Sequence, residues 1–197
     1  NLLIDSNIIE NSYFYGIYNY CGEAKIEANI IRSRVAFTNN SFYGIRSYYA
    51  EGTIIGNKIW QRSNTIISSC GISLYYHNHG DSTNDLIANN EISVFTTQNF
   101  YGLYVGYSSA DIVHNSIHVT STGSGNGIYV LSHSSNQLTI QNNDVVLNQG
   151  YPILFTSTNY MNRLRCIGNN FYSTTALAYV GRAIYDITTL QQLFGND

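Results

Sequence analysis

Residues Ile54-Ile55-Gly56-Asn57-Lys58-Ile59 have the form Ile-x-x-Asn-x-Ile, and that form returns along the whole chain. It recurs as Ile4–Asn7–Ile9, Ile26–Asn29–Ile31, Ile87–Asn90–Ile92, Ile112–Asn115–Ile117 and Ile140–Asn143–Val145. A degenerate copy reads Ile167–Asn170–Tyr172. The Asn residues at 7, 29, 57, 90, 115, 143 and 170 are separated by 22 to 33 residues. Recurrence at such a period marks an architecture of stacked units, each too small to bury its own apolar face.

A second pattern lies between the copies of the first. Gly followed by Ile or Leu occurs at Gly16-Ile17, Gly44-Ile45, Gly71-Ile72, Gly102-Leu103 and Gly127-Ile128, with a distorted copy at Gly150-Tyr151-Pro152-Ile153. Three of these follow an aromatic pair: Phe14-Tyr15, Phe42-Tyr43 and Phe100-Tyr101. Two short strand signals per repeat, joined at a special Asn, predict an all-β, right-handed parallel β-helix of about seven coils. The first and last apolar residues of each Ile-x-x-Asn-x-Ile copy are expected to point inward. The Asn is expected at the bend, where it tolerates the left-handed conformation. Stacked amides both donate and accept, so Asn7, Asn29, Asn57, Asn90, Asn115, Asn143 and Asn170 are expected to form a ladder.

Working outward, the 197 residues read as one β-helix domain, with coils over about 1–180 and a cap over about 181–197. Thr188 and Gln191 have capping-box spacing, and Leu190, Leu193 and Phe194 share a helical face. A short helix over about 188–194, stopped by Gly195, is therefore expected to cover the last coil. Leu2-Leu3-Ile4 starts inside a coil with no basic leader before it. The expectation is that the chain is the C-terminal part of a longer β-helix with further domains.

Composition agrees and excludes other classes. Charged residues are 11% of the chain, with a net charge of -3, which offers no basic footprint for nucleic acid. No apolar run has the roughly 18 residues of a membrane helix. Hydrophobic content of 44% is too high for a disordered tail. Cys21, Cys70 and Cys166 are odd in number and irregular in spacing. They read as three small buried apolar residues rather than a disulfide framework.

The string Tyr-Gly-Ile-x-x-Tyr-Tyr, followed by Ile-x-x-Asn-x-Ile, resembles the parallel β-helix repeats of large secreted or surface proteins of Bacteroidetes-type bacteria. The tail Tyr185-Asp186-Ile187-Thr188-Thr189-Leu190-Gln191-Gln192-Leu193-Phe194 is similar to the terminal cap of that group, where a tryptophan often stands in place of Gln191 or Gln192. The resemblance implies an extracellular or cell-surface location. It mixes polysaccharide-active enzymes with adhesive proteins, so it implies fold more than activity.

The Asp-Asp, Gly-His-Gly and Arg-Ile-Lys signatures of polygalacturonase-like hydrolases are absent. Asp5 and Glu27 are expected to stack with no aligned base, and Lys58 and Glu91 to be surface neighbours. His77, His79 and Asp81 form the most metal-like cluster. The outward position after Gly-Ile holds Tyr18, Arg46, Ser73, Tyr104, Tyr129 and Leu154. Tyr18, Arg46, Tyr104 and Tyr129, with Trp60 as a further candidate, are expected to offer flat apolar rings with polar handles to a polysaccharide or surface glycan. The reading is a non-catalytic surface, adhesive or carbohydrate-contacting module that needs no cofactor. The alternative is a fragment of a polysaccharide lyase or glycoside hydrolase whose catalytic coils lie upstream.

Overall fold

The computed structural model describes residues 2–33, 41–61, 68–76, 84–97, 99–133, 137–159 and 161–194. The chain is a mostly-β parallel solenoid of at least five full turns, closed at its end by one short helix. Each turn gives one strand to each of three sheets. Sheet 1 has seven strands, from Leu2–Asp5 to Leu164–Ile167, and sheet 2 has seven, from Ile8–Ser12 to Asn170–Ser173. Sheet 3 has eight, seven parallel strands from Tyr15–Tyr20 to Ala178–Val180 and an eighth, Ala183–Ile184, added antiparallel at the end.

The register explains the repeat. Ile4, Ile26, Ile54, Ile87, Ile112 and Ile140 lie in one row of sheet 1. Ile9, Ile31, Ile59, Ile92, Ile117 and Val145 lie in one row of sheet 2. Ile17, Ile45, Ile72, Leu103, Ile128 and Ile153 form the third row. All but the first-turn Ile4 and Ile9 are buried, and the three rows together make the core. Each fully buried aliphatic side chain contributes roughly 1.5–3 kcal/mol.

The Gly before the third row leaves room for the neighbouring sheet. A Cβ on Gly71 would lie 2.6 Å from the Gly102 carbonyl oxygen and 2.6 Å from Ile92 Cγ2. Gly44 and Gly102 are equally crowded by the next turn's backbone and a sheet 2 isoleucine. The column therefore excludes any side chain, which is why Gly-Ile recurs.

The ladder forms, with two corrections. Asn29 donates from its backbone N and its Nδ2 to Asn57 Oδ1, both at 3.0 Å, and Nδ2 also donates to the Ile4 carbonyl at 2.9 Å. The same set links Asn57 to Asn90, Asn90 to Asn115 and Asn115 to Asn143. Asn143 then donates to Asn169 Oδ1, not to Asn170. Cys166 pairs with Ile140, so the last copy is Cys166–Asn169–Phe171, one residue earlier than expected. A one-residue slip sends side chains to the opposite face, and Asn170 is accordingly exposed.

The second correction concerns the bend. The left-handed residue is the one before each ladder Asn, not the Asn. Ser6, Ala28, Asn89, His114 and Asn142 have φ between 50 and 56°, and Gly56 and Gly168 have 67 and 65°. The Asn is there for its hydrogen bonds.

The C-terminal helix spans Ile187–Phe194. Asp186 Oδ1 accepts from the Thr189 backbone N at 2.8 Å, so Asp186 caps the helix and Thr188 lies in its first turn. Leu190 is buried and Phe194 meets Phe155 edge-on at 5.8 Å, whereas Leu193 is 41% exposed. Gly195 lies outside the described residues. The cysteine expectation holds for Cys70 and Cys166 but not for Cys21, which is exposed; all three are free thiols.

Candidate functional site

Sheet 3 presents the distinctive surface. Its strands contain no Asp or Glu and only one Lys or Arg, namely Arg46. Tyr18, Arg46, Ser73, Tyr104, Tyr129, Leu154 and Tyr179 fall in one outward row, as the spacing predicts. Trp60 does not join them. It lies on sheet 2, between Arg32 and Ser93, with the Arg32 guanidinium 4.8 Å over its ring.

Further tyrosines extend the face on both sides. Tyr15, Tyr43, Cys70 and Tyr101 make a parallel row before the glycine column, and Tyr20, Tyr48 and Tyr75 make another after it. Tyr49, Tyr76 and Tyr107 stand at the following corner, each left-handed, with φ of 49, 55 and 51°. Rings stack from turn to turn: Tyr20 on Tyr48 at 5.9 Å, Tyr48 on Tyr75 at 5.5 Å, and Tyr104 on Tyr129 at 5.3 Å. The corner rings stack likewise, Tyr49 on Tyr76 at 4.8 Å and Tyr76 on Tyr107 at 5.1 Å. The sequence carried this signal in Tyr-Gly-Ile-x-x-Tyr-Tyr. The Tyr-Tyr pair after Ile does not by itself tell which face it takes.

Arg46 sits among the rings. Its guanidinium carbon is 5.0 Å from the Tyr43 centroid and 5.5 Å from that of Tyr48, and Nη1 donates to the Tyr15 hydroxyl at 3.2 Å. These contacts hold the cation by ring quadrupoles and one neutral oxygen. Its Nε is buried with no hydrogen-bond partner, and no carboxylate pairs with it among the described residues.

In the third turn the tyrosine rows are interrupted by Cys70 and Ser73. A cavity of about 180 Å³ opens there, bordered by Tyr43, Arg46, Tyr101 and Tyr104 among others. Burial raises the pKa of the Tyr43, Tyr101, Tyr104 and Tyr129 hydroxyls, so they remain neutral donors and acceptors at ordinary pH. Burial also pushes the Cys70 thiol up, which removes thiolate character and leaves it an unreactive floor.

The acid pairs lie elsewhere. Asp5 and Glu27 are register neighbours on sheet 1, and Lys25 Nζ is 3.0 Å from Glu27 Oε2. Lys25 aligns with Leu3 rather than with this pair, and it is held as a paired ammonium ion. Lys58 and Glu91 are paired across sheet 2 at 3.7 Å. His77, His79 and Asp81 lie outside the described residues. Among the described residues no cluster of three or more His, Cys, Asp or Glu could hold a metal.

A family model described as "Right handed beta helix region" matches residues 1–171. No curated protein and no solved structure matches the chain.

Proposed function

We propose that this chain, which belongs to the right-handed β-helix family, is a non-catalytic extracellular module that contacts carbohydrate through the tyrosine face of sheet 3. The observation that carries the reading is the run of stacked tyrosines over successive turns, on strands that hold no carboxylate. Flat rings bury the apolar faces of sugars while their hydroxyls serve the polar edges. Hydrolysis by the usual carboxylate pair needs two acids about 5–9.5 Å apart, and the sheet 3 strands supply none. A rigid face repeated by the solenoid suits an extended polymer, such as a polysaccharide or surface glycan.

A glycan array tests this with the wild-type chain and the Tyr104→Ala and Tyr129→Ala variants. Turn three already carries a small residue, Ser73, in that row, so the fold tolerates Ala there. Each variant is expected to weaken the wild-type hits about tenfold, the loss of roughly 1.4 kcal/mol of ring contact. No wild-type hits, or hits indifferent to both changes, overturns the reading.

A further inference from the structure

Tyr20, Tyr48 and Tyr75 are register partners in three successive turns. Each is followed by a left-handed corner residue that donates its backbone N to the next turn. Cys21 donates to the Tyr48 carbonyl, Tyr49 to that of Tyr75, and Tyr76 to that of Gly106. Cys21 therefore stands where the later turns carry a tyrosine. Within each pair, Tyr20 with Cys21, Tyr48 with Tyr49 and Tyr75 with Tyr76, the two side chains are hydrogen-bonded to one another.

The stacks join these pairs. One column runs from Tyr129 through Tyr104, Tyr75 and Tyr48 to Tyr20, with centroid steps of 5.3, 6.0, 5.5 and 5.9 Å. The corner column of Tyr107, Tyr76 and Tyr49 meets it edge-on. Such separations are those of rings in direct contact. Both columns lead toward Cys21, which is exposed, whereas the Cys70 and Cys166 thiols are buried. Phenol, indole and thiol are the side chains most readily oxidised by one electron, and the indole of Trp60 lies away on sheet 2.

We propose that the tyrosine columns are a relay that carries one-electron oxidation to Cys21, which makes this thiol the protein's site of oxidative cross-linking. The co-reactant is an external one-electron oxidant, such as a high-valent metal centre. The inference does not rest on the carbohydrate reading. The oxidant removes one electron from a ring, and the phenol proton passes to water. The phenoxyl oxygen takes an electron and a proton from the next phenol, and the exchange repeats along the column. Each radical is neutral, so the Arg46 guanidinium, 5.5 Å from the Tyr48 centroid, does not repel it. At Tyr20 the phenoxyl regains its O–H by breaking the Cys21 S–H bond, which leaves a thiyl radical. Two such chains then join through a new S–S bond. Two thiols and two oxidant equivalents give one disulfide, two protons and two reduced equivalents.

The test oxidises the full chain with photogenerated tris(bipyridyl)ruthenium(III) and reads the Cys21 disulfide by mass spectrometry. Alkylation of the native chain by iodoacetamide, which favours the exposed thiol, measures access to Cys21, and the disulfide yield is taken relative to it. In wild type the Cys21 disulfide is expected to be the main product. Tyr20→Phe keeps a ring that forms no phenoxyl, and the double variant Tyr48→Phe, Tyr49→Phe cuts both columns one turn away. Each is expected to lose most of the relative yield, and Tyr172→Phe on sheet 2 none of it. Cys21→Ser is expected to prolong the flash-induced tyrosyl absorption and to divert the product to dityrosine. An unchanged relative yield in either column variant means direct attack on the thiol and overturns the relay. An equal loss in Tyr172→Phe overturns the columns as its path. An unchanged tyrosyl lifetime in Cys21→Ser overturns Cys21 as its end, and a main wild-type product at Trp60 or Met161 overturns the whole proposal.

Discussion

At the residue scale the ladder Asn is used to capacity. Asn90 is 1% exposed; its Oδ1 accepts from Asn57 N and Nδ2, and its Nδ2 donates to Asn115 Oδ1 and the Ile54 carbonyl. Asn90→Leu keeps the bulk but strands the Asn57 donors and the Ile54 oxygen. Each orphaned buried group costs about 1–3 kcal/mol, so a loss of at least about 3 kcal/mol is expected in denaturant unfolding. Asn7→Leu, at the exposed start of the ladder, is expected to cost far less. Equal losses at the two positions would show that the amides do not act as a buried chain. The six earlier ladder positions were legible because each carries Ile three residues ahead of its Asn. The seventh was not, because Cys166 replaces that Ile and the neighbouring Ile167 mimics the motif one residue late. The left-handed position was also hidden, since Ser, Ala, Gly, Asn and His all occupy it.

At the element scale the C-terminal helix depends on a cap that the Thr-x-x-Gln spacing obscured. Hydrogen bonds from the Thr189 backbone and side chain hold the Asp186 carboxyl below its usual pKa. A depressed folded pKa means that its stabilisation is present above the unfolded Asp value of about 3.9. It is lost as pH falls through the lower folded value. Amide exchange protection over residues 189–194, compared across that acid range, is expected to fade in wild type. In Asp186→Asn, which keeps an acceptor but does not titrate, protection is expected to hold. Equal fading in both chains would remove Asp186 from the account. The helix itself was readable from Leu190 and Phe194. Spacing puts Leu193 on the same face, but the helix meets the last turn over a narrower stripe and leaves it half in solvent.

At the scale of the whole molecule, a simple rule produces an asymmetric rod. The same inward rows fill all three sheets, yet the outward faces differ. Sheets 1 and 2 carry the ion pairs Lys25–Glu27, Arg32–Glu10 and Lys58–Glu91, while sheet 3 carries stacked rings and one cation. Composition could not show this, because it averages the faces. Spacing recovered only one row, through Tyr18, Arg46, Tyr104 and Tyr129. The rows of Tyr43 and Tyr48 needed the register at the glycine column, where Tyr43 points outward while both Gly44 and Ile45 are buried. Trp60, three residues after Asn57, lies on sheet 2, and sequence distance from Asn57 alone does not tell which sheet follows the corner.

The claim that one face of this rod meets carbohydrate is tested most directly by aromatic-ring NMR of the 18 tyrosines during titration with the strongest array glycan. The account predicts shifts at Tyr43, Tyr101, Tyr104 and their stacked neighbours on sheet 3, with Tyr172 on sheet 2 and Tyr185 beside the helix unmoved. Shifts centred on Tyr172 or Tyr185, or none on sheet 3 while the glycan is bound, would contradict it.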